Sequence, residues 1–268
     1  MTGERGRLIL FVHGFPELWV AWHRQLHDFG RDHRAVALDQ RGYNLSGKPS
    51  GPEHYSLSAL ADDLRHVLRT LSPGEPAVVV GHDWGGLAGW ALAHESPELL
   101  HRLVIINAPH PAVFRRELKR NPRQVVASSY AAVFQLRGVA ERLLRLRDHA
   151  LLRAMVFGQT TKPERFDPSL RAAYRAAWDT PGALTAGLNY YRCRANLRAF
   201  LGRGGDWRVE VPTLVLWANR DVALRPGNLR GLEAYVPRLT VRQHARATHW
   251  VVHEEPEWVE QQIREFVT

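Results

Sequence analysis

Cysteine is nearly absent: Cys193 is the only one in 268 residues. An intrachain disulfide is thereby excluded, a reducing compartment suits the chain, and a thiolate metal cluster cannot be built. Lysine is almost as scarce. Lys48, Lys119 and Lys162 are the only lysines among 36 basic residues, so arginine carries the positive charge. Long hydrophobic runs are lacking as well. The first apolar stretch, Leu8 to Val12, is too short for a signal-peptide core or a membrane span, and the chain is expected to be cytoplasmic. There are no internal repeats or low-complexity segments. What remains is the composition of a soluble globular protein, 45% hydrophobic and 24% charged, long enough for one core with an inserted subdomain.

The net charge of +9 is unevenly placed. Residues 110–206 hold 18 basic and 7 acidic residues, a net +11, and the remainder is −2. Such a segment would attract nucleic acid, anionic lipid or an anionic substrate. No aromatic-interleaved nucleic-acid motif accompanies it, so nucleic acid is not expected as a partner. A solvated, arginine-rich helical surface is the plain reading. Apolar clusters within it (Leu143, Leu144, Leu151, Leu152, Met155) would suit adsorption to an anionic membrane surface.

Three regions follow from the pattern. Residues 1–109 alternate short apolar strands with helical periodicity: "RLILFVHG", "HRAVALDQRGYNLSG", "AVVVGHD" and "RLVIINAP" are strands. A helix over Leu57, Leu60, Leu64, Val67, Leu68 and Leu71 has Ser56 as its N-cap. Strands this uniformly apolar belong to a parallel sheet covered on both faces. Residues 110–206 carry no strand signal and read as a helical lid, punctuated by Pro122, Pro163, Pro168 and Pro181. From 207 to 268 the rhythm resumes with "VPTLVLWANRD", "RLTVRQHA" and the closing helix "PEWVEQQIREFV", with Pro256 in its first turn. The expected architecture is one α/β domain, a mostly parallel doubly wound sheet with the lid inserted after the fourth strand.

The chemistry centres on "VVVGHDWGG", residues 78–86. Gly-x-Asp-x-Gly between a strand and a helix is the nucleophile-elbow spacing with a carboxylate in place of serine. Gly81 and Gly85 permit the tight turn, which lifts Asp83 clear of the sheet near a helix N-terminus. The structural alternative is an aspartate capping that helix. A carboxylate needs no base to attack an sp³ carbon; the resulting alkyl ester needs one only for its hydrolysis. His249 in "RATHWVV" is the candidate base, ahead of His244 and His253. Asp221 after "TLVLWANR" is the candidate orienting acid, ahead of Asp206 and Glu210; Asn107, at the end of the fourth strand, cannot carry the charge. "HGFP" places the Phe15 amide where, with the Trp84 amide, it would form an oxyanion hole. Phe15–Pro16 is a candidate cis peptide. His13, Pro16, Trp84 and Trp250 are expected at the substrate pocket. The reaction calls for no metal and no cofactor.

These motifs resemble those of epoxide hydrolases of the α/β-hydrolase superfamily, types 3 and 4 and their bacterial relatives. The likeness runs through "HGFPE", "DQRGYNLSGKP", "GHDWGG", "NAPHP", "SSYAAVFQL", "GLNYYR" and "ATHW". The resemblance implies hydrolysis of a small hydrophobic epoxide to a vicinal diol. It also assigns Tyr130 and Tyr191 as lid phenols that donate to the epoxide oxygen, with Tyr190 pointing elsewhere. Read without it, both tyrosines would be packing residues of amphipathic helices. "GHDWGG" is shared with haloalkane dehalogenases, so dehalogenation is the alternative, although Phe15 stands where many of those enzymes have an amide. A catalytically silent binding protein is the third reading. Two features depart from the family pattern: a β-hairpin usually precedes the first strand found here, and "WANRD" replaces the usual Gly-Glu ahead of the acid.

Overall fold

Six parallel strands form the sheet: β1 (Leu8–Val12), β2 (Arg34–Leu38), β3 (Ala77–His82), β4 (Leu100–Ile106), β5 (Thr213–Ala218) and β6 (Leu239–His244), in spatial order β2-β1-β3-β4-β5-β6. The computed structural model describes residues 1–202, 205 and 207–268. Strand residues alternate between two cores because successive side chains point to opposite faces. Ile9, Phe11, Val78, Val80, Val104 and Ile106 pack on one side, against helices α1 (His23–Phe29) and, from the far end of the chain, α12 (Pro256–Val267). Leu10, Val79, Leu103, Ile105 and Val215 pack on the other, against α2 (Leu57–Leu71) and α3 (Trp84–Glu95). The expected doubly wound arrangement is therefore observed. Ser56 caps α2 by accepting from the Ala59 amide, as its sequence position predicts. The edge of β2 away from β1 meets a single antiparallel bridge, Thr2 to Ala35.

Between β4 and β5 the described residues form seven α-helices, one 3-10 helix (Pro163–Arg165) and no strand: α4 (Pro111–Arg120), α5 (Pro122–Ala127), α6 (Tyr130–Phe134), α7 (Val139–Val156), α8 (Pro168–Asp179), α9 (Ala183–Arg192) and α10 (Arg194–Leu201). The boundary expected at residue 206 lies outside the described residues. Helix α7 is broken at Leu146–His149, where Arg147, Asp148 and His149 all take positive φ. The apolar cluster expected on this segment divides: Leu144 and Leu152 are buried and Met155 is partly so, leaving Leu143 and Leu151 exposed. The helix α11 (Val251–Glu254) follows β6. Among the described residues, no helix is long and apolar enough to cross a membrane.

Candidate active site

In an open parallel sheet, loops at the carboxyl ends of the strands converge on one crevice. The loops after β1, β3, β5 and β6 here deliver Phe15, Asp83, Asp221 and His249. Asp83 occupies a strained conformation, φ 50 and ψ −119, at the junction of β3 and α3. The surrounding packing imposes it: a Cβ at Gly85 would collide with the carbonyl oxygen of Val12, so only glycine lets α3 close on the sheet. The side chain makes no capping bond to α3, which removes the helix-cap alternative. Instead its Oδ1 accepts the Phe15 amide at 2.8 Å. The Phe15–Pro16 peptide is cis.

His249 stands between two carboxylates. Its Nδ1 lies 2.6 Å from Asp221 Oδ2, and its Nε2 lies 3.8 Å from Asp83 Oδ2. Asp221 is fully buried and saturated with donors. Asn107 Nδ2 gives it a bond at 2.6 Å, and the amides of Ala223 and Leu224 give bonds at 2.8 and 2.9 Å. Burial works to raise the Asp221 carboxyl, but His249 and these donors outweigh it and hold it below its ordinary value. Burial likewise works against a charged His249; Asp221, with smaller contributions from Asp83 and Glu17, outweighs that and pushes the imidazole up to about 9. Asp83 goes the other way. Burial raises its carboxyl, and the opposing effects of His249, His82 and the amides of Phe15 and Trp84 are too weak to reverse the shift.

Asp83 opens onto a cavity of about 590 Å³, walled by Trp84, Leu87, Phe114, Tyr130 and Tyr191 among others. A more open groove of about 740 Å³ beside α2, lined by Leu38, Arg41 and Asp63, is larger but holds none of these groups. Tyr130 of α6 and Tyr191 of α9 face each other with ring centroids 6.0 Å apart, and Tyr191 packs edge-on against Trp84 at 5.1 Å. Burial raises both hydroxyls above their ordinary value, so both are proton donors at neutral pH. Tyr190 contributes its ring to the wall, while its hydroxyl donates to the Arg41 carbonyl at 2.7 Å.

Several expected residues sit elsewhere. His13, Pro16 and Trp250 are not among the lining residues of the cavity. His13 is wholly buried, its Nε2 accepting the Gln40 amide. Pro16 presents its carbonyl to the Trp178 indole, and Trp250 gives its own indole N–H to the Met155 carbonyl. Pro16 and Trp250 thus serve the interface between inserted helices and core, and His13 holds the loop at Gln40. The weaker candidates also fall away. His244 accepts the Ala247 amide, Glu210 is paired with exposed Arg208, and Asp206 lies outside the described residues. Asn107 holds the acid rather than replacing it.

The pattern did not single out a buried cluster directly behind the histidine. Glu17 binds His82 Nδ1 through Oε2 at 2.9 Å, and His253 Nε2 and the Tyr174 hydroxyl through Oε1 at 2.9 and 2.8 Å. His82 Nε2 reaches the His249 carbonyl at 2.9 Å, which requires the ring N–H there because a carbonyl only accepts. Burial strongly disfavours the Glu17 anion, yet the bonds to His253 and His82 hold its carboxyl well below the carboxylate range. Glu17 and His82 do stand within "HGFPE" and "GHDWGG", but their contact joins positions 65 residues apart, beyond any local periodicity.

A family model for the alpha/beta hydrolase fold matches residues 7–256. The chain is 38% identical to the AB hydrolase superfamily protein YfhM of Bacillus subtilis, over 98% of this chain and 91% of that one. It is 35% identical to epoxide hydrolase 4 of Mus musculus, over 96% of this chain and 72% of the relative. Among solved structures, an inhibitor complex of the Bacillus megaterium epoxide hydrolase superposes with a TM-score of 0.90 at 35% identity, covering 100% of this chain and 95% of that one. With the carboxylate elbow, the paired histidine and the two facing phenols, the chain belongs to the α/β-hydrolase family and, within it, to the epoxide hydrolases.

Proposed function

We propose that the protein hydrolyses small hydrophobic epoxides to vicinal diols through an alkyl ester on Asp83. The observation that carries this reading is the placement of two partly buried phenols on the wall of the cavity onto which an uncapped carboxylate opens. Asp83 attacks a ring carbon, and Tyr130 and Tyr191 donate hydrogen bonds to the ring oxygen as the C–O bond breaks and protonate the alkoxide. Esterification removes the Asp83 charge and with it part of what keeps His249 protonated. The neutral imidazole, oriented by Asp221, then takes a proton from water, which attacks the ester carbonyl. The Phe15 and Trp84 amides receive the resulting oxyanion, whose collapse breaks the bond between the ester carbonyl carbon and the diol oxygen; that oxygen takes the proton His249 drew from water, and the proton His249 released after esterification restores the phenol. The inserted helices act as a lid over this chemistry.

The test is a trapped intermediate. In His249→Gln, an aryl epoxide should leave a covalent adduct on Asp83 whose mass equals that of the whole epoxide. If no epoxide gives an adduct while a haloalkane does, the dehalogenase reading replaces this one; if neither does, the silent reading stands.

We also propose that the lid adsorbs to anionic membrane surfaces, where apolar epoxides partition. On the first half of α7, Val139, Leu143 and Leu146 are 48%, 41% and 58% exposed, at the i, i+4 and i+7 positions of one face. Arg137, Arg142, Arg145 and Arg147 neighbour this stripe in the chain, and among the described residues none has a carboxylate within ion-pair distance. Near an anionic surface each basic residue contributes about 1 kcal/mol. Arg142→Glu with Arg145→Glu should therefore weaken binding to phosphatidylglycerol vesicles more than about tenfold. Cosedimentation equal on neutral and anionic vesicles would end the idea.

A further inference from the structure

His249 is flanked by two residues that are tied to the lid. On one side, Thr248 gives its amide to Glu254 Oε2 at 2.7 Å and its hydroxyl to Glu254 Oε1 at 2.8 Å. The same Oε1 accepts the Thr160 hydroxyl at 2.9 Å and the Thr161 amide at 2.6 Å, from the lid segment just beyond α7. On the other side, the Trp250 indole reaches the Met155 carbonyl in the last turn of α7 at 2.9 Å. The next carboxylate, Glu255, pairs with Lys162 at 2.8 Å. Glu254 itself is completely buried. Its two oxygens thus take four donors, two from the histidine loop and two from the lid, and separating these segments would strand buried polar groups.

We propose that Glu254 is a positioning residue that couples the seating of the lid to the placement of His249. The lid carries Tyr130 and Tyr191, which serve ring opening, and the loop carries the base that serves ester hydrolysis. A shared buried anchor keeps the two half-reactions in one geometry. Glu254 stands five residues from His249 on the same segment, whereas its lid partners Thr160 and Thr161 lie beyond α7 and the phenols are carried by α6 and α9, so disturbing it acts first on the second half-reaction. The inference rests on the epoxide-hydrolysing reading above.

The experiment follows formation and decay of the Asp83 ester by rapid quench and intact mass, using an aryl epoxide in single turnover. The proteins compared are wild type, Glu254→Gln and Thr160→Val. A glutamine must turn its NH₂ toward donors in either orientation, so the loop loses its register. Glu254→Gln should slow ester decay about 10- to 100-fold while formation stays near the wild-type rate. Its decay should also show a displaced pH midpoint, which a loss of stability alone would not produce. Thr160→Val keeps both Thr248 bonds and removes a lid-side donor to Glu254, together with the acceptor of the Lys162 amide at 3.1 Å. It should slow decay by a smaller but measurable factor, and this arm tests the coupling to the lid. Equal slowing of both steps in Glu254→Gln, or wild-type decay in Thr160→Val, overturns the proposal. If Glu254→Gln does not fold, Thr160→Val decides alone. A wild-type protein that forms no ester would overturn the reaction itself, a separate outcome.

Discussion

Asp83→Asn imitates the charge state of the alkyl ester without the substrate, and its effect on His249 follows from the geometry. The asparagine keeps the shape of the side chain, and its Oδ1 can still accept the Phe15 amide seen at 2.8 Å. What it removes is one negative charge 3.8 Å from His249 Nε2. Two unit charges at that distance attract by about 1 kcal/mol in water and about 4 kcal/mol at the effective dielectric of a protein site. Even the lower figure changes proton occupancy about fivefold. The sign is fixed: losing the anion disfavours the cation, so His249 must titrate at lower pH than the wild-type value of about 9. Asp221, the larger contributor, remains 2.6 Å from Nδ1 and keeps the imidazole from falling all the way to its buried, unpaired limit. NMR titration of the imidazole nitrogens in wild type and Asp83→Asn measures the difference directly. An unchanged His249 midpoint would refute the idea that esterification releases the base, since no other charge at Nε2 is lost on going from free enzyme to ester.

Other perturbations separate the two half-reactions. Tyr191→Phe should slow epoxide opening by about 10²-fold or more and release of halide from an alkyl halide much less; equal losses, read by single-turnover product release, would deny Tyr191 its proton-donor role. Asp221→Asn should slow ester decay by about 10²–10⁴-fold, because it removes the charge holding His249 and, with its oxygen kept on the Ala223 and Leu224 amides, turns its NH₂ toward His249 Nδ1 and imposes the wrong tautomer; mass spectrometry would show the ester accumulating. Gly14→Ala places a methyl group against the Asp83 side chain, so adduct formation should fall while far-UV circular dichroism stays native; wild-type alkylation rates would show that Asp83 has room to move.

How much of this was legible in the chain depends on the range of each interaction. The elbow is local: Gly81, Asp83 and Gly85 lie within five positions, and their steric requirement can be read from the spacing alone. Helix α2 is local too, since Ser56 and the apolar positions from Leu57 to Leu71 encode cap and face together. His249 and Asp221 became candidates through their order after strands, and the 2.6 Å contact joins them across 28 residues. The tyrosines needed the family likeness, because an amphipathic helix offers the same periodicity whether its aromatic packs or reacts. Trp250 and Pro16 show the limit: an apolar residue beside a functional one reads as substrate contact, but here each spends its polar atom on the interface between the inserted helices and the core. The Glu17 and Glu254 clusters stayed hidden, because a buried carboxylate is identified only by donors from distant segments.

The two aspartates around His249 have the same chemistry and opposite environments, and that difference supports the roles proposed for them. Asp221 receives an amide side chain, two backbone amides and the imidazole, so its lone pairs are fully engaged and attack by it on a substrate would strand buried donors. Asp83 receives far less, is pushed toward its neutral form by burial, and is the one of the pair that opens onto the cavity. A carboxylate that is poorly solvated but still ionised, opposite a protonated histidine, is a stronger nucleophile than one satisfied by hydrogen bonds. Once it forms the ester, the desolvation cost of its charge disappears and His249 loses one of its two nearest anions. In the reaction proposed above, the same burial that raises Asp83 in the free enzyme would favour the first step, and the same proximity that protonates His249 would time the second.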